Sequence, residues 1–153
     1  MKNILVLSEQ TDVPVDIARI EKDAAKIIAH LGYPTFDISI ILVDMDSMHA
    51  YNKQFRHKDK PTDILSFPFH ADLKPGEKIT ATSRDEKNLG DIIICPEYVR
   101  NDLERWDQTF EQRMKVLLVH GICHLLGYDH IEDKDYEVMN KVEQELLTII
   151  NDN

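Results

Sequence analysis

Two hydrophobic periodicities alternate along this chain, and the switches between them delimit its elements. Residues 3–8 form a short apolar run suited to a strand. From Pro14 to Leu31, Ile17, Ile20, Ala24, Ile27 and Ile28 recur at helical spacing, and Gly32 stops the pattern. Asp37 to Val43 is rich in β-branched residues and predicts a strand. Asp46 to Phe55 predicts a short helix capped by Asp46 or Asp44. Ile64 to Phe69 predicts a strand, with Pro61 and Pro68 favouring a sheet edge or a bulge. Phe67 and Phe69 share one side of it and can pack the core or stack a base, with core packing the favoured role for both. The polar stretch His70 to Asn88 holds Pro75-Gly76 and predicts a long loop, of the kind that is functional or mobile. Leu89 to Cys95 contains Ile-Ile-Ile and predicts a buried strand.

Helices dominate the second half. Pro96 suits the first turn of a helix running to about Trp106. Thr109 and Gln112 form a capping-box pattern, after which Phe110, Met114, Leu117, Leu118 and Leu125 make one apolar stripe. A last helix is expected from about Asp133 to Ile150. Strands and helices are interleaved without repeats. The expectation is an α+β fold in one domain over residues 1–153: a single small mixed β-sheet packed with helices, its central helix zincin-like and metal-bearing.

That central helix carries the most informative residues. His120 and His124 are four apart and project roughly 40° apart around a helix axis. Gly127 can end the helix in a left-handed conformation and return His130 toward them. Three converging imidazoles make an open tetrahedral zinc site, the type found in catalysis, because structural zinc sites close all four positions. The spacing matches the metzincin protease pattern His-Glu-x-x-His-x-x-Gly-x-x-His with one change. The protease's general base, Glu, is replaced by Gly121, so a peptidase is disfavoured by the motif that suggests one. Cys123 lies about 100° from His124 on the helical wheel and is expected to be a small buried residue rather than a ligand. Asp129, beside His130, orients a ligand or serves as a turn residue.

Composition narrows the setting. The chain has 153 residues, 42% hydrophobic and 30% charged, as expected of a soluble globular protein. No uninterrupted apolar run exceeds four residues, so no membrane span is expected, and the apolar start is too short for a signal peptide. Two cysteines, Cys95 and Cys123, make no disulfide framework, which points to a reducing, cytoplasmic setting. The net charge of −10 argues against general nucleic-acid binding. It is uneven, however: Lys53, Arg56, Lys58 and Lys60 against Asp59 give +3 across eight residues. An acidic body with one basic strip can hold a polyanion locally, while charge alone favours an ordinary solvated loop. Within that strip Arg56 stands out, since its planar fork of donors suits phosphate oxygens.

Two long motifs complete the reading. His-Gly-Ile-Cys-His-Leu-Leu-Gly-Tyr-Asp-His (His120 to His130) resembles the pattern of the YbeY endoribonuclease family, His-Gly-x-x-His-Leu-x-Gly-Tyr-Asp-His. The run from Phe55 through Arg56, Lys58, Asp59, Pro61, Thr62, Asp63 and Leu65 to Phe67 resembles the same family's Arg-x-Lys-Asp-x-Pro-Thr-Asp-Val-Leu-Ser-Phe, and Leu89-Gly90-Asp91-Ile92 its Leu-Gly-Asp-Ile strand. The resemblance implies an α+β fold with one zinc ion on His120, His124 and His130, and a functional arginine at Arg56. It implies single-strand-specific cleavage of RNA in the bacterial cytoplasm, in ribosomal RNA maturation that includes the 3′ end of the small-subunit RNA, and in ribosome quality control. Implied partners are ribosomal RNA and the ribosome or small-subunit assembly proteins; DNA is not expected. On this reading Arg56 neutralises phosphate charge as a pentavalent state forms, and Gly121 leaves room where a protease would place Glu. The rivals are a metallopeptidase and a zinc-stabilised RNA- or ribosome-binding module without catalysis.

Overall fold

The isoleucine-rich segments pair into one sheet. Its strands are β1 (Ile4–Ser8), β2 (Asp37–Leu42), β3 (Ile64–Pro68) and β4 (Asn88–Ile94), in the order β1-β2-β4-β3. The computed structural model describes residues 3–151. Strands β1, β2 and β4 are parallel, and β3 runs antiparallel to β4 along the edge, where Pro68 costs no interior hydrogen bond. The sheet is therefore mixed, as the pattern predicts.

Ile92, Ile93 and Ile94 are all buried because both faces of β4 are covered. On one face Ile92 and Ile94 join the main core with α1 (Ile17–His30), α4 (Phe110–Leu125) and α5 (Asp133–Asn151). On the other, Ile93 joins Val43, Leu65 and Cys95 beneath Met48 of α2 (Met45–Arg56). Phe67 packs against this smaller cluster and meets Phe55 edge-on, ring centroids 5.2 Å apart. Phe69 lies one residue past the strand and is exposed, so the shared side expected for the two rings ends at Pro68.

Among the helices, α1 and α3 depart most from the periodic reading, each for a local reason. Helix α1 begins at Ile17, three residues after Pro14, because the Asp16 carboxylate accepts from Arg19 N at 3.1 Å and caps it. Asp44 caps α2, accepting from Ser47 N at 2.8 Å, and those bonds hold its carboxyl below the usual range. The helix expected from Pro96 to Trp106 is broken: α3 (Pro96–Asn101) is followed by a single 3₁₀ turn, Leu103–Arg105. Asn101 and Asp102 are poor helix formers, and the Asp102 carboxylate is engaged by the indole Nε1 of Trp106 at 3.1 Å.

The loop between β3 and β4 is tied down. Leu73, Ile79 and Ala81 pack on the main core, Ile79 N donates to the Tyr33 hydroxyl, and Lys78 Nζ donates to Leu31 O. Helix α5 has no basic residue in its last turn, but Arg19 and Lys115 both donate to Ile150 O, at 3.0 and 3.2 Å. Two cations from neighbouring helices thus meet the negative end of its dipole. Among the described residues, no helix is long and apolar enough to cross a membrane.

Candidate metal centre

Helix α4 is the platform. Its start is a full capping box, with Gln112 N donating to Thr109 Oγ1 at 3.1 Å and Thr109 N to Gln112 Oε1 at 2.9 Å. Met114, Leu117, Leu118, Ile122 and Cys123 are buried, so the helix that carries His120 and His124 is seated in the core. Gly121 lets it sit close to the sheet. A Cβ there would lie 3.0 Å from Ile64 Cδ1 and 3.0 Å from Ile92 Cδ1. The position faces packed apolar side chains, so the room expected beside the histidines is occupied by the core.

Gly127 then reverses the chain with φ +92°, and Tyr128 N closes the turn on Cys123 O at 3.1 Å. A Cβ at Gly127 would come within 2.2 Å of Leu73 O, so the β3–β4 loop presses on this turn. The reversal brings His130 back. Its ring centroid is 5.5 Å from those of both His120 and His124, which are themselves 4.4 Å apart. One ligand nitrogen from each of the three lies within 4.8 Å of the others.

The hydrogen bonds behind two of the rings decide their tautomers. His120 Nδ1 is 2.8 Å from Glu143 Oε2 on α5, and His124 Nδ1 is 2.9 Å from Tyr128 O. A carboxylate and a carbonyl oxygen only accept, so both Nδ1 atoms carry the hydrogen. The two Nε2 atoms face each other 2.9 Å apart. Burial, with His120 nearby, pushes the His124 pKa down to about 4, so at neutral pH its Nε2 is an open acceptor. A proton or a metal ion fits between the two nitrogens. The donor set of three imidazoles fits a divalent metal.

Cys123 adds no ligand: it is fully buried, and burial pushes its thiol up to about 12. Asp129 is a turn residue, its carboxylate 3.4 Å from Ile131 N, with no hydrogen bond to a histidine. Arg56 is exposed at the end of α2, where His57 adopts φ +59° and turns the chain. It lines a cleft of about 260 Å³ with Lys58, Lys60, Thr62, His120 and His124. The structure therefore brings Arg56, His120 and His124 to one cleft, with His130 beside them.

Three further residues escaped the sequence reading. Glu143 sits 23 residues beyond His120, and only the packing of α5 on α4 joins them. Arg113 is buried, its guanidinium 3.6 Å from the Trp106 ring centre and 3.5 Å from the Asp63 carboxylate. Burial lowers its pKa while Asp63 opposes the shift. Asp63 lies inside the Pro-Thr-Asp motif, the one signal that pointed to it.

An α+β protein with two histidines on its core helix, a third returned beside them and a cationic cleft alongside has the outline of a metal-dependent hydrolase. The chain belongs to the YbeY endoribonuclease family: the profile of that family, described as Endoribonuclease YbeY, matches residues 5–151. Its relatives include the Endoribonuclease YbeY of Persephonella marina, 35% identical over 148 residues, 96% of this chain and 92% of that one. The human protein of that name is 32% identical, across 95% of this chain and 86% of its own. The Neisseria meningitidis serogroup A protein is 42% identical over 116 residues, 76% of this chain and 65% of its own length. The solution structure of TM1509 from Thermotoga maritima is similar with a TM-score of 0.59 and 28% identity, covering 95% of this chain and 89% of the other. The family is one of enzymes, hydrolases acting on RNA.

Proposed function

We propose that this chain is an endoribonuclease that cuts single-stranded RNA, with zinc held by His120, His124 and His130 and with Arg56 on the phosphate. The observation that carries the metal is the facing pair of Nε2 atoms on His120 and His124, 2.9 Å apart, with both Nδ1 hydrogens engaged elsewhere. Three neutral nitrogen donors suit zinc. A divalent ion held by His120, His124 and His130 would supply a Lewis acid to polarise a phosphoryl oxygen and acidify water.

The chain's own residues do the rest. Glu143 and the Tyr128 carbonyl engage Nδ1 of His120 and His124 and turn each Nε2 toward the shared centre, which supports ligation through Nε2. Arg56 donates two parallel hydrogen bonds to a phosphate and matches the negative charge that grows there during cleavage. Lys58 and Lys60 in the same cleft attract the neighbouring phosphates as point charges. Against a net charge of −10, that cleft is where a polyanion is drawn in while the rest of the surface repels it. The cellular setting that goes with the family resemblance is the cytoplasm. The substrates there are ribosomal RNA, including the 3′ end of the small-subunit RNA, and the partners the ribosome or its small-subunit assembly proteins, in maturation and quality control.

The test is one preparation assayed for metal content and for cleavage of single- and double-stranded RNA. About one zinc per chain, with chelator-sensitive cutting of the single strand, is expected. Cleavage indifferent to chelator, or a zinc-loaded protein that leaves single-stranded RNA intact, overturns the proposal.

A further inference from the structure

The cationic cleft has a larger neighbour. A cavity of about 560 Å³ opens between the Thr62–Ile64 segment, α3, the 3₁₀ turn, α4 and α5, and it shares His120 with the cleft. Its volume falls in the range of about 300–1,000 Å³ typical of small-ligand sites.

The two spaces differ in charge. The cleft carries Arg56, Lys58 and Lys60 with no carboxylate in its lining. The larger cavity sets Asp63, Asp102 and Glu143 against only Arg105 and Arg113. Arg113 is 8% exposed and already matched by Asp63 at 3.5 Å and by the indole ring at 3.6 Å. Carboxylates outnumber guanidinium and ammonium groups in the second space but not in the first, so phosphate is drawn to the first. An uncharged planar group fits the second, whose walls include the rings of Tyr98, Trp106 and Tyr136 and the apolar Leu117 and Met139.

Trp106 is held in place there. Its Nε1 is held by Asp102 Oδ2 at 3.1 Å, Arg113 packs on its ring at 3.6 Å, Arg105 lies more loosely at 5.3 Å from the ring centre, and the residue stays 39% exposed. Rings held in this way stack bases whatever their sequence.

We propose that this cavity receives one unpaired nucleobase of the RNA strand beside the cleaved phosphate, stacked against Trp106. The inference rests on the RNA-cleaving reading above and adds to it the source of single-strand preference. Phosphates lie along the cleft and the base turns over His120 into the cavity. A base in a duplex is paired and stacked, and enters only if it is extruded.

Trp106 is the chain's only tryptophan, so its fluorescence reports the cavity directly. The full chain, as isolated and after chelation, is titrated with a short single-stranded RNA and with a chain of equal length lacking bases. Binding is followed in parallel by anisotropy of an end label. The natural RNA quenches Trp106 saturably; the base-free chain binds roughly tenfold more weakly and leaves emission unchanged. Trp106→Ala lowers affinity for natural RNA to that of the base-free chain, whereas Trp106→Phe retains most of it. Arg56→Ala weakens both ligands alike and keeps the quench at saturation. Equal affinity for the two chains, or saturation without quenching, overturns the subsite while cleavage by the metal-loaded protein leaves the RNA reading standing. No binding of either chain, with no cleavage, overturns both.

Discussion

The Glu143 carboxylate on α5 stands 2.8 Å from Nδ1 of His120 on α4, across a contact between two helices that share the main core. Ring orientation at the centre is therefore coupled to how α5 packs. On the proposed reading, Glu143→Ala lowers zinc affinity by roughly 10–100-fold, because the His120 tautomer is no longer held. Competition with a chelator of known affinity measures it, and unchanged zinc affinity would remove Glu143 from the design of the site.

Ligand and phosphate roles separate cleanly. His124→Ala loses both metal and cleavage. Arg56→Ala keeps the metal, since a guanidinium does not ligate a cation, and loses turnover by roughly 10²–10³-fold, the scale of one charge-stabilising donor. Metal analysis and single-turnover cleavage of both variants check this. Wild-type turnover in Arg56→Ala, or stoichiometric zinc in His124→Ala, contradicts the assignment.

Stability of the metal-free protein depends on pH through His124. Its pKa is about 4 in the fold against an ordinary 6.5, so the unfolded chain takes up a proton first as pH falls. The stabilisation is complete above pH 6.5 and is lost between there and about 4. Melting curves of chelated protein from pH 7 to pH 4 show the decline, and His124→Gln flattens it. Parallel curves for the two proteins would refute the linkage.

Restoring the protease's missing carboxylate does not make a protease. Gly121→Glu drives a side chain against Ile64 and Ile92, where a Cβ alone already lies 3.0 Å from each. Overpacking of this kind costs about 1–3 kcal/mol, and burial of a carboxylate adds to it. Denaturant unfolding reads the loss, and a peptidase assay stays blank.

Both cysteines are free and buried. Burial raises both thiols, Cys123 to about 12. Alkylating reagent at pH 8 labels neither until the chain is unfolded, when both react. Fast labelling of Cys123 in native protein would place it outside the core.

The triad was legible because its geometry is local. Helical spacing aligns His120 with His124, and the positive φ of Gly127 returns His130, all within eleven residues of sequence. The edge placement of β3 and the capping box of Thr109 were legible for the same reason. The break between α3 and its 3₁₀ turn was missed because it depends on a side-chain bond from Trp106 to Asp102. The close seat of Gly121 on Ile64 and Ile92 was missed because it depends on strands distant in sequence.

The sequence by itself determined which residues make up the triad, which segment carries the cationic strip and which apolar residues form the stripe of each core helix, since these follow from periodicity, capping and charge over short spans. Tertiary structure alone decided that Glu143 backs His120, that Asp63 and Trp106 enclose Arg113, and that two cavities of opposite character meet at His120. Those relations join residues brought together only when α4, α5 and the sheet close on one another, and hydrogen bonds between such distant groups leave no period in the chain.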